Sequence, residues 1–223
     1  MELISGFIDL IVHLDKHLLS LAQEYGWGIY VLLFLIVFCE TGLVVTPFLP
    51  GDSLLFVAGA LAGAGVINIH LLVLLLILAA ILGNTTNFAI GRWVGQRVYQ
   101  LEDSWFFKKA YLERTHQYFE KYGGRTIVIT RFVPIVRTYA PFVAGVGGMQ
   151  YRRFTAFNVA GGVLWVGSLG YAGYWFGNVP WVKDNLTLVI FGIILLSIAP
   201  AIIEVVRHKL MRAPSSESVK KPQ

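Results

Sequence analysis

The sequence predicts an all-α polytopic membrane protein, and three observations point to that fold class. Hydrophobic residues make up 56% of the 223 residues and charged residues only 14%, whereas a soluble domain carries about 25% charged residues. Residues 26–91 contain just two charged side chains, Glu40 and Asp52, and residues 154–182 contain none. A helix needs roughly 20 apolar residues to cross a bilayer. The chain has too little charge to cover a globule in water, so we expect its apolar surface to face lipid.

The net charge of +5 comes from Lys and Arg at the borders of the apolar segments, in short loops and the C-terminal tail. The positive-inside rule expects this distribution, whereas a nucleic-acid-binding protein would gather its basic residues on one polar face. Nucleic acid is therefore not expected as a partner. The single cysteine, Cys39, excludes an internal disulfide framework and a zinc cluster. No metal or cofactor is expected, because the pair His13 and His17 lacks a third ligand.

A single membrane domain is expected over residues 1–223. Residues 70–91, 154–177 and 186–206 are apolar and long enough to form three full transmembrane helices.

Three further segments are polar or amphipathic. Residues 3–22 place apolar side chains at near-helical spacing with polar interruptions, which is typical of an amphipathic helix in the membrane interface. Residues 98–122 are charged and rich in aromatic residues, which indicates a cytoplasmic amphipathic connector. The polar tail at 213–223 is expected to be disordered.

Residues 29–66 form the first interrupted apolar segment, with Pro47, Pro50 and Gly51 between two apolar arms. Proline and glycine end a helix and turn the chain, so one continuous helix is excluded. The 38 residues of this segment just suffice for two spans. They fit equally well a re-entrant hairpin, which enters the membrane and returns to the same side.

Residues 126–151 form the second interrupted segment, and its 26 residues are too few for two spans. A single span would place Arg152 and Arg153 on the opposite side of the membrane from the basic residues of 92–125, against the positive-inside rule. A re-entrant hairpin returns both arginines to the cytoplasmic side. Non-helical backbone at membrane depth requires surrounding protein or a water-filled cavity, so this interpretation predicts such a cavity.

A weak internal repeat relates the two halves of the chain. Val57-Ala58-Gly59-Ala60 matches Val143-Ala144-Gly145-Val146, and Gly91-Arg92-Trp93-Val94-Gly95 matches Gly173-Tyr174-Trp175-Phe176-Gly177. Each half combines a hairpin with one span, which places the second copy upside down relative to the first. Inverted repeats that meet at interrupted helices near the midplane are a common plan of transporters. The sequence therefore predicts an inverted repeat with two opposed re-entrant hairpins.

Four charged residues inside the apolar segments divide evenly, with Glu40 and Asp52 in the first hairpin and Arg131 and Arg137 in the second. Each would cost roughly 2.5–3.5 kcal/mol at the bilayer centre, so all four must be paired or hydrated. Their charges sum to zero. This balance indicates that the hairpin tips face each other over one polar cavity.

The two arginines are candidates for binding a phosphate group. Arg131 and Arg137 are six residues apart in the sequence, with Pro134 between them. A helix broken at the proline lets both guanidinium groups converge, and their forked donors suit phosphate oxygens. The alternative is that the two arginines only neutralise Glu40 and Asp52.

The two acids are candidates for exchanging protons. Burial favours the neutral form of Glu40 and a nearby arginine favours its charged form, which suits a group that binds and releases protons. Asp52 fits equally well as a coupling residue and as the N-cap of the following helix. Asn84 and Asn158 are typical of hydrogen bonds between membrane helices, and Trp165 is typical of packing or interfacial anchoring.

Three motifs resemble those of the bacterial DedA family: Phe38-Cys39-Glu40-Thr41-Gly42, Phe48-Leu49-Pro50-Gly51-Asp52-Ser53-Leu54-Leu55 and Arg131-Phe132-Val133-Pro134-Ile135-Val136-Arg137-Thr138. The similarity extends over about residues 5–210 and is strongest to the protein after which the family is named. Related eukaryotic proteins form the SNARE-associated Golgi or VTT-domain family and include lipid scramblases. The resemblance implies a multi-pass protein of the bacterial inner membrane with paired re-entrant hairpins. It places the family's functional acids on Glu40 and Asp52 and its functional arginines on Arg131 and Arg137.

We therefore expect a transporter rather than an enzyme, a flippase that moves a polyprenyl phosphate or a phospholipid and depends on the proton-motive force. Arg131 and Arg137 would bind the lipid phosphate, while Glu40 and Asp52 would exchange protons. The alternative is a cation/proton antiporter or a membrane-homeostasis protein without lipid transport, in which the acids bind the cation. The oligomeric state is left open, a homo-oligomer included.

Overall fold

The computed structural model describes residues 26–43, 51–98, 123–132, 134–185, 188–189 and 192–193. Within these ranges the chain is helical with connecting turns and has no β-strand, in agreement with an all-α membrane protein. Several predicted segments lie outside the described residues, namely 3–22, 98–122 beyond its first residue, 213–223 and most of 186–206.

Seven helices are described, two of them long and five short. In chain order they are α1 (Gly28–Gly42), α2 (Gly51–Gly63), α3 (Ile69–Val98), α4 (Arg125–Thr130), α5 (Pro134–Val146), α6 (Tyr151–Phe176) and α7 (Pro180–Asp184).

The long helices α3 and α6 coincide with two of the predicted spans. Among the described residues, α3 alone is both long and apolar enough to cross a membrane, and an 18-residue window within Ile69–Gly95 has a mean hydropathy of 2.2. Its exposed leucines Leu74, Leu78 and Leu82 are four residues apart and therefore form one stripe along the helix. Helix α6 has 26 residues, but its glycines and aromatic residues make it less apolar. An exposed leucine stripe is unfavourable in water and suits contact with lipid.

The first interrupted segment, 29–66, forms two helices instead of one. Helix α1 has 15 residues and ends before Leu43, whose backbone is extended, and α2 has 13 residues and begins directly after Pro50. At 1.5 Å per residue each helix is about 20 Å long, short of the roughly 30 Å hydrocarbon core.

The second interrupted segment, 126–151, is divided in the same way. Helix α4 has six residues and α5 has 13. Proline lacks a backbone N–H and is tolerated in the first turn of a helix, so α5 begins at Pro134.

Glycines allow the helices to pack with their backbones in contact. Helix α2 lies on α6, where a Cβ atom at Gly59 would overlap the Gly170 carbonyl oxygen. Helix α5 lies on α3, where a Cβ atom at Gly145 would overlap the Phe88 carbonyl oxygen. The second helix of each interrupted segment therefore packs on the long helix of the opposite half of the sequence, while α1 packs on α3 and α4 on α6, in their own halves.

Candidate functional site

The site lies where both interrupted segments meet α3 and α6, and Arg137 of α5 is at its centre. Its Nη1 donates to Asp52 Oδ1 at 2.5 Å, and its Nη2 donates to Glu40 Oε1. The side chains of Arg137, Glu40 and Asp52 are 8%, 2% and 13% exposed. One guanidinium thus bridges two carboxylates that are 12 residues apart in the sequence and lie on different helices.

Glu40 lies in the last turn of α1 and faces the first residue of α2. A Cβ atom at Gly51 would overlap both oxygens of the Glu40 carboxylate. Only glycine therefore permits α2 to begin against this side chain. Within the described part of the chain, Glu40 Oε2 is buried and has no hydrogen-bond partner.

Asp52 is the second residue of α2, inside its first turn, and not the residue before the helix that an N-cap requires. In addition to the bond from Arg137, its Oδ1 accepts a hydrogen bond from Trp165 Nε1 at 2.8 Å. Its negative charge also lies at the helix N-terminus, where the helix dipole stabilises it.

Trp165 of α6 contacts both arginines and one acid. Its ring centroid is 4.8 Å from Arg137 Cζ and 5.9 Å from Arg131 Cζ, within the range of cation–π attraction. The side chain is 1% exposed. The sequence predicted a packing residue or an interfacial anchor here, because nothing in the sequence distinguishes such a tryptophan from one that donates to a buried carboxylate.

Arg131, directly after α4, has different partners from Arg137. Its Nη2 donates to Asn158 Oδ1 at 2.5 Å and lies 3.4 Å from the carbonyl oxygens of Asn158 and Ala80. The residue is 2% exposed, and its Nε has no hydrogen-bond partner. Both ion pairs described for the acids go to Arg137, so within the described ranges Arg131 has only neutral acceptors.

Glycines of α6 provide the space that Arg131 occupies. A Cβ atom at Gly161 would lie 2.9 Å from Arg131 Cδ, and one at Gly162 would lie 3.7 Å from Arg131 Nη2. The aliphatic part of the arginine is therefore packed against helix backbone.

Asn158 of α6 connects Arg131 to α3. Its Oδ1 also accepts from Asn84 Nδ2 at 3.2 Å, while its Nδ2 donates to the Ile81 carbonyl at 3.0 Å and to Thr85 Oγ1 at 3.3 Å. The residue is fully buried. Asn84 and Asn158 thus form the interhelical hydrogen bonds that the sequence predicted, and Asn158 holds an arginine as well.

Asn87 of α3 connects the two interrupted segments. Its Nδ2 donates to the carbonyl of Thr41 at the end of α1, at 3.1 Å, and to the carbonyl of Thr138 in α5, at 2.8 Å. Carbonyl groups near the end of a helix lack partners within the helix. One buried amide therefore satisfies a carbonyl at the end of α1 and joins it to the second turn of α5 beside the site.

The structure brings Glu40, Asp52 and Arg137 together and places Arg131 near the same tryptophan, Trp165, with Asn158 as its side-chain partner. The sequence left two interpretations of the arginines open, phosphate binding and neutralisation of the acids. Arg137 pairs with both acids, as the second interpretation expects, whereas no ion pair to either acid is described for Arg131. Phosphate binding by the arginines stays a prediction.

Comparison with known proteins places the chain among membrane proteins. Residues 49–175 match the VTT domain. Protein DedA of Escherichia coli (strain K12) is 55% identical over 219 residues, which cover 97% of this chain and 100% of that protein. An uncharacterized membrane protein of Mycobacterium leprae (strain TN) is 44% identical over 75% of each chain, and inner membrane protein YqjA of E. coli (strain K12) is 36% identical over 81% of each. No solved structure matches. The matches confirm the family resemblance that the motifs predicted.

Proposed function

The chain belongs to the VTT-domain family and is a relative of DedA, and from that premise we propose that it is a lipid transporter of the bacterial inner membrane. Its substrate is a phosphate-bearing lipid, either a polyprenyl phosphate or a phospholipid, and transport depends on the proton-motive force. The inner-membrane location is supported by the name of the relative YqjA.

The proposed architecture is an inverted repeat with two opposed re-entrant hairpins, α1–α2 and α4–α5. Matching contacts in the two halves support it. A Cβ atom at Gly173 would overlap the Phe56 backbone of α2, and one at Gly91 would overlap the Phe142 backbone of α5. Phe56 and Phe142 each lie three residues before the central glycine of the aligned Val-Ala-Gly motifs.

The turns that follow the two hairpins also match. Gly65 and Gly148 have positive φ angles of 80° and 71°. In each turn the next residue donates its N–H to a carbonyl five residues earlier, Val66 to Leu61 and Met149 to Ala144, which is the Schellman pattern. The same chain reversal therefore leads from each hairpin into a long helix.

A balanced group of buried charges between the two hairpins is the observation that carries the proposal. Glu40 and Arg131 are each 2% exposed and Arg137 is 8% exposed. Removing such charges from water costs several kcal/mol per ion. Ionisable residues at membrane depth mark substrate and ion pathways by default. A planar guanidinium with several N–H donors suits a phosphate group in particular.

In the proposed mechanism the headgroup crosses beside these residues without entering hydrocarbon. Arg131 and Arg137 bind the phosphate through their N–H groups. A proton that binds to Glu40 or Asp52 removes a negative charge and releases Arg137 from that carboxylate, so Arg137 then binds the phosphate. Loss of the proton on the other side restores the ion pair and displaces the lipid. This is noncovalent transport, and we propose no enzymatic step.

The test is lipid flipping in vesicles that contain the purified protein. Fluorescent phosphatidylethanolamine and a fluorescent polyprenyl phosphate serve as substrates, and fluorescent glucosylceramide, which has no phosphate, serves as control. We expect accelerated flipping of at least one phosphate-bearing lipid and none of glucosylceramide. The double variant Arg131→Ala/Arg137→Ala should lose this activity, while Arg125→Ala, an exposed arginine at the start of α4, should retain it. Full activity of the double variant would contradict the proposal.

A cation/proton antiporter is the second candidate, and one observation favours it. Two carboxylates share one arginine, so the Glu40–Asp52–Arg137 group has a net charge of −1 when ionised, as a site for a monovalent cation requires. In that case Arg131 only adjusts the affinity of the two carboxylates for the cation. Proton flux that requires Na⁺ or K⁺ and proceeds in vesicles without phosphate-bearing lipid would favour this function over lipid transport.

A further inference from the structure

Arg131 is a buried cation without a counter-ion among the described residues. Its partners are the neutral oxygens of Asn158 and Ala80, and its Nε has no partner. A charge removed from water is retained only with good compensation, and three neutral acceptors on one nitrogen leave the guanidinium open to an anion. Arg137, in contrast, has two carboxylates.

Trp165 lies next to both arginines and donates a hydrogen bond to Asp52. Its indole N–H donates to Asp52 Oδ1 at 2.8 Å, the same oxygen that accepts from Arg137. Its ring lies close to both guanidinium groups, 4.8 Å from Arg137 Cζ and 5.9 Å from Arg131 Cζ. Arg137 and Trp165 are thus the donors described for Asp52 Oδ1, whereas the donors described for Asn158 Oδ1 are Arg131 and Asn84.

Asn158 sets the position of Arg131. Hydrogen bonds donated by the Asn158 amide group fix the orientation of the Asn158 side chain. Nδ2 donates to the Ile81 carbonyl and to Thr85 Oγ1, so Oδ1 must face Arg131 and Asn84. An aspartate here would offer the same oxygen with a full negative charge. The amide holds the arginine in place while leaving its charge uncompensated.

We propose that Asn158 is a positioning and specificity-determining residue, which holds Arg131 with a neutral oxygen so that this guanidinium, and not that of Arg137, is the resting receptor for the phosphate group. The proposal rests on the function proposed above and deepens it. The two arginines then act in sequence. Arg131 binds the incoming phosphate, and Arg137 joins only when a carboxylate takes up a proton.

The decisive variant is Asn158→Asp, which places a carboxylate on Arg131. Asn84→Asp is a second variant, which adds the charge beside Asn158 and replaces the donor to Asn158 Oδ1 by an acceptor, while the Asn158 amide itself is kept. Asn178→Asp is the control, because Asn178 is a partly buried asparagine just beyond the end of α6 whose Nδ2, like that of Asn158, donates to a carbonyl, that of Ala60. It lies 20 residues after Asn158 in the sequence, about 30 Å away at helical rise.

Binding is measured with dodecyl phosphate, a single-chain phosphate amphiphile, added to the full-length protein in dodecyl maltoside. Trp165 is close enough to Arg131 for tryptophan fluorescence to report binding there. The variant Trp165→Phe shows how much of the fluorescence change comes from Trp165. Dodecanol, which has no phosphate, is the control probe. Thermal melting establishes that each variant is folded. Flipping of the two phosphate-bearing lipids is measured on the same preparations.

We expect Asn158→Asp and Asn84→Asp to weaken dodecyl phosphate binding at least tenfold and to slow flipping by a similar factor, while Asn178→Asp leaves both unchanged. Wild-type affinity in both folded aspartate variants would overturn the inference, even if flipping by the wild type supports the proposed function. Conversely, tight and Asn158-dependent binding by a wild-type protein that flips no lipid would uphold the phosphate receptor and contradict the transport function.

Discussion

The two buried arginines have opposite surroundings although they belong to one short motif. Arg137 forms ion pairs with Glu40 and Asp52, whereas Arg131 contacts neutral oxygens of Asn158 and Ala80. Both are at least nine-tenths buried, so burial does not explain the difference. It follows from the helices that surround each residue, the acids of α1 and α2 around Arg137 and the amide of α6 beside Arg131.

This difference shows that one short motif can place one arginine in ion pairs and the other among neutral acceptors. Breaking a buried ion pair from one side leaves an uncompensated charge, which costs more than removing a buried charge that has no counter-ion. Arg137 is therefore expected to determine stability more strongly than Arg131. Arg131, with an unused donor at Nε, is expected to affect ligand binding more than folding.

The largest expected effect is that of Arg137→Ala, which leaves two buried carboxylates without their cation. We expect a loss of about 3–5 kcal/mol in the free energy of unfolding, measured by denaturant titration of the protein in detergent micelles. Arg131→Ala should lose clearly less stability and still abolish flipping. Equal destabilisation by the two variants would remove the distinction between the arginines.

Trp165→Phe should have the next largest effect, because it keeps an aromatic face but removes the N–H that donates to Asp52. A hydrogen bond to a charged group contributes about 1.5–3 kcal/mol, and we expect a loss of stability in this range. Trp175→Phe is the control, since Trp175 is 65% exposed. If both variants melt at the same temperature, Trp165 does not hold Asp52 in place.

Two glycine variants compare the surroundings of the acids with those of Arg131. In Gly51→Ala the new Cβ atom would displace the Glu40 carboxylate from the ion pair, whereas in Gly161→Ala it would meet the flexible side chain of Arg131. Overpacking costs about 1–3 kcal/mol, and we expect Gly51→Ala near the upper limit and Gly161→Ala near the lower.

Gly167→Ala on α6 is the matched control for these glycines, because a Cβ atom there meets no atom within 4 Å. Since alanine favours helix over glycine by up to about 1 kcal/mol, this variant should be unchanged or slightly more stable. Thermal melting of the three variants ranks them by stability. A larger loss of stability for Gly161→Ala than for Gly51→Ala would contradict the expected order.

The sequence predicted the broken helices and the charged residues of the site well. Pro50 and Pro134 mark the starts of α2 and α5, because proline is compatible with the first helical turn and not with a helix interior. Glu40, Asp52, Arg131 and Arg137 stand out as the charges inside otherwise apolar segments, whose burial requires compensation whatever the fold.

The division of roles within the site could not be predicted from the sequence. Arg137 finds partners 97 and 85 residues earlier in the chain, and only the packing of the helices decides that Arg131 does not. Trp165 and Asn158 are residue types that are common in membrane helices. Their contacts with the arginines follow from the packing of α6 against α2, α3 and α4. The sequence signals were local, and these contacts are not.

The most direct measurement of the central claim is mass spectrometry of the lipid that co-purifies with the protein after extensive washing in detergent. It compares the wild type with Arg131→Gln and with Arg125→Gln, an exposed arginine on α4. We predict that the wild type and Arg125→Gln retain a phosphate-bearing lipid at about one molecule per site, and that Arg131→Gln retains at least tenfold less. Equal retention by all three proteins, or retention of lipids without phosphate only, would contradict the account.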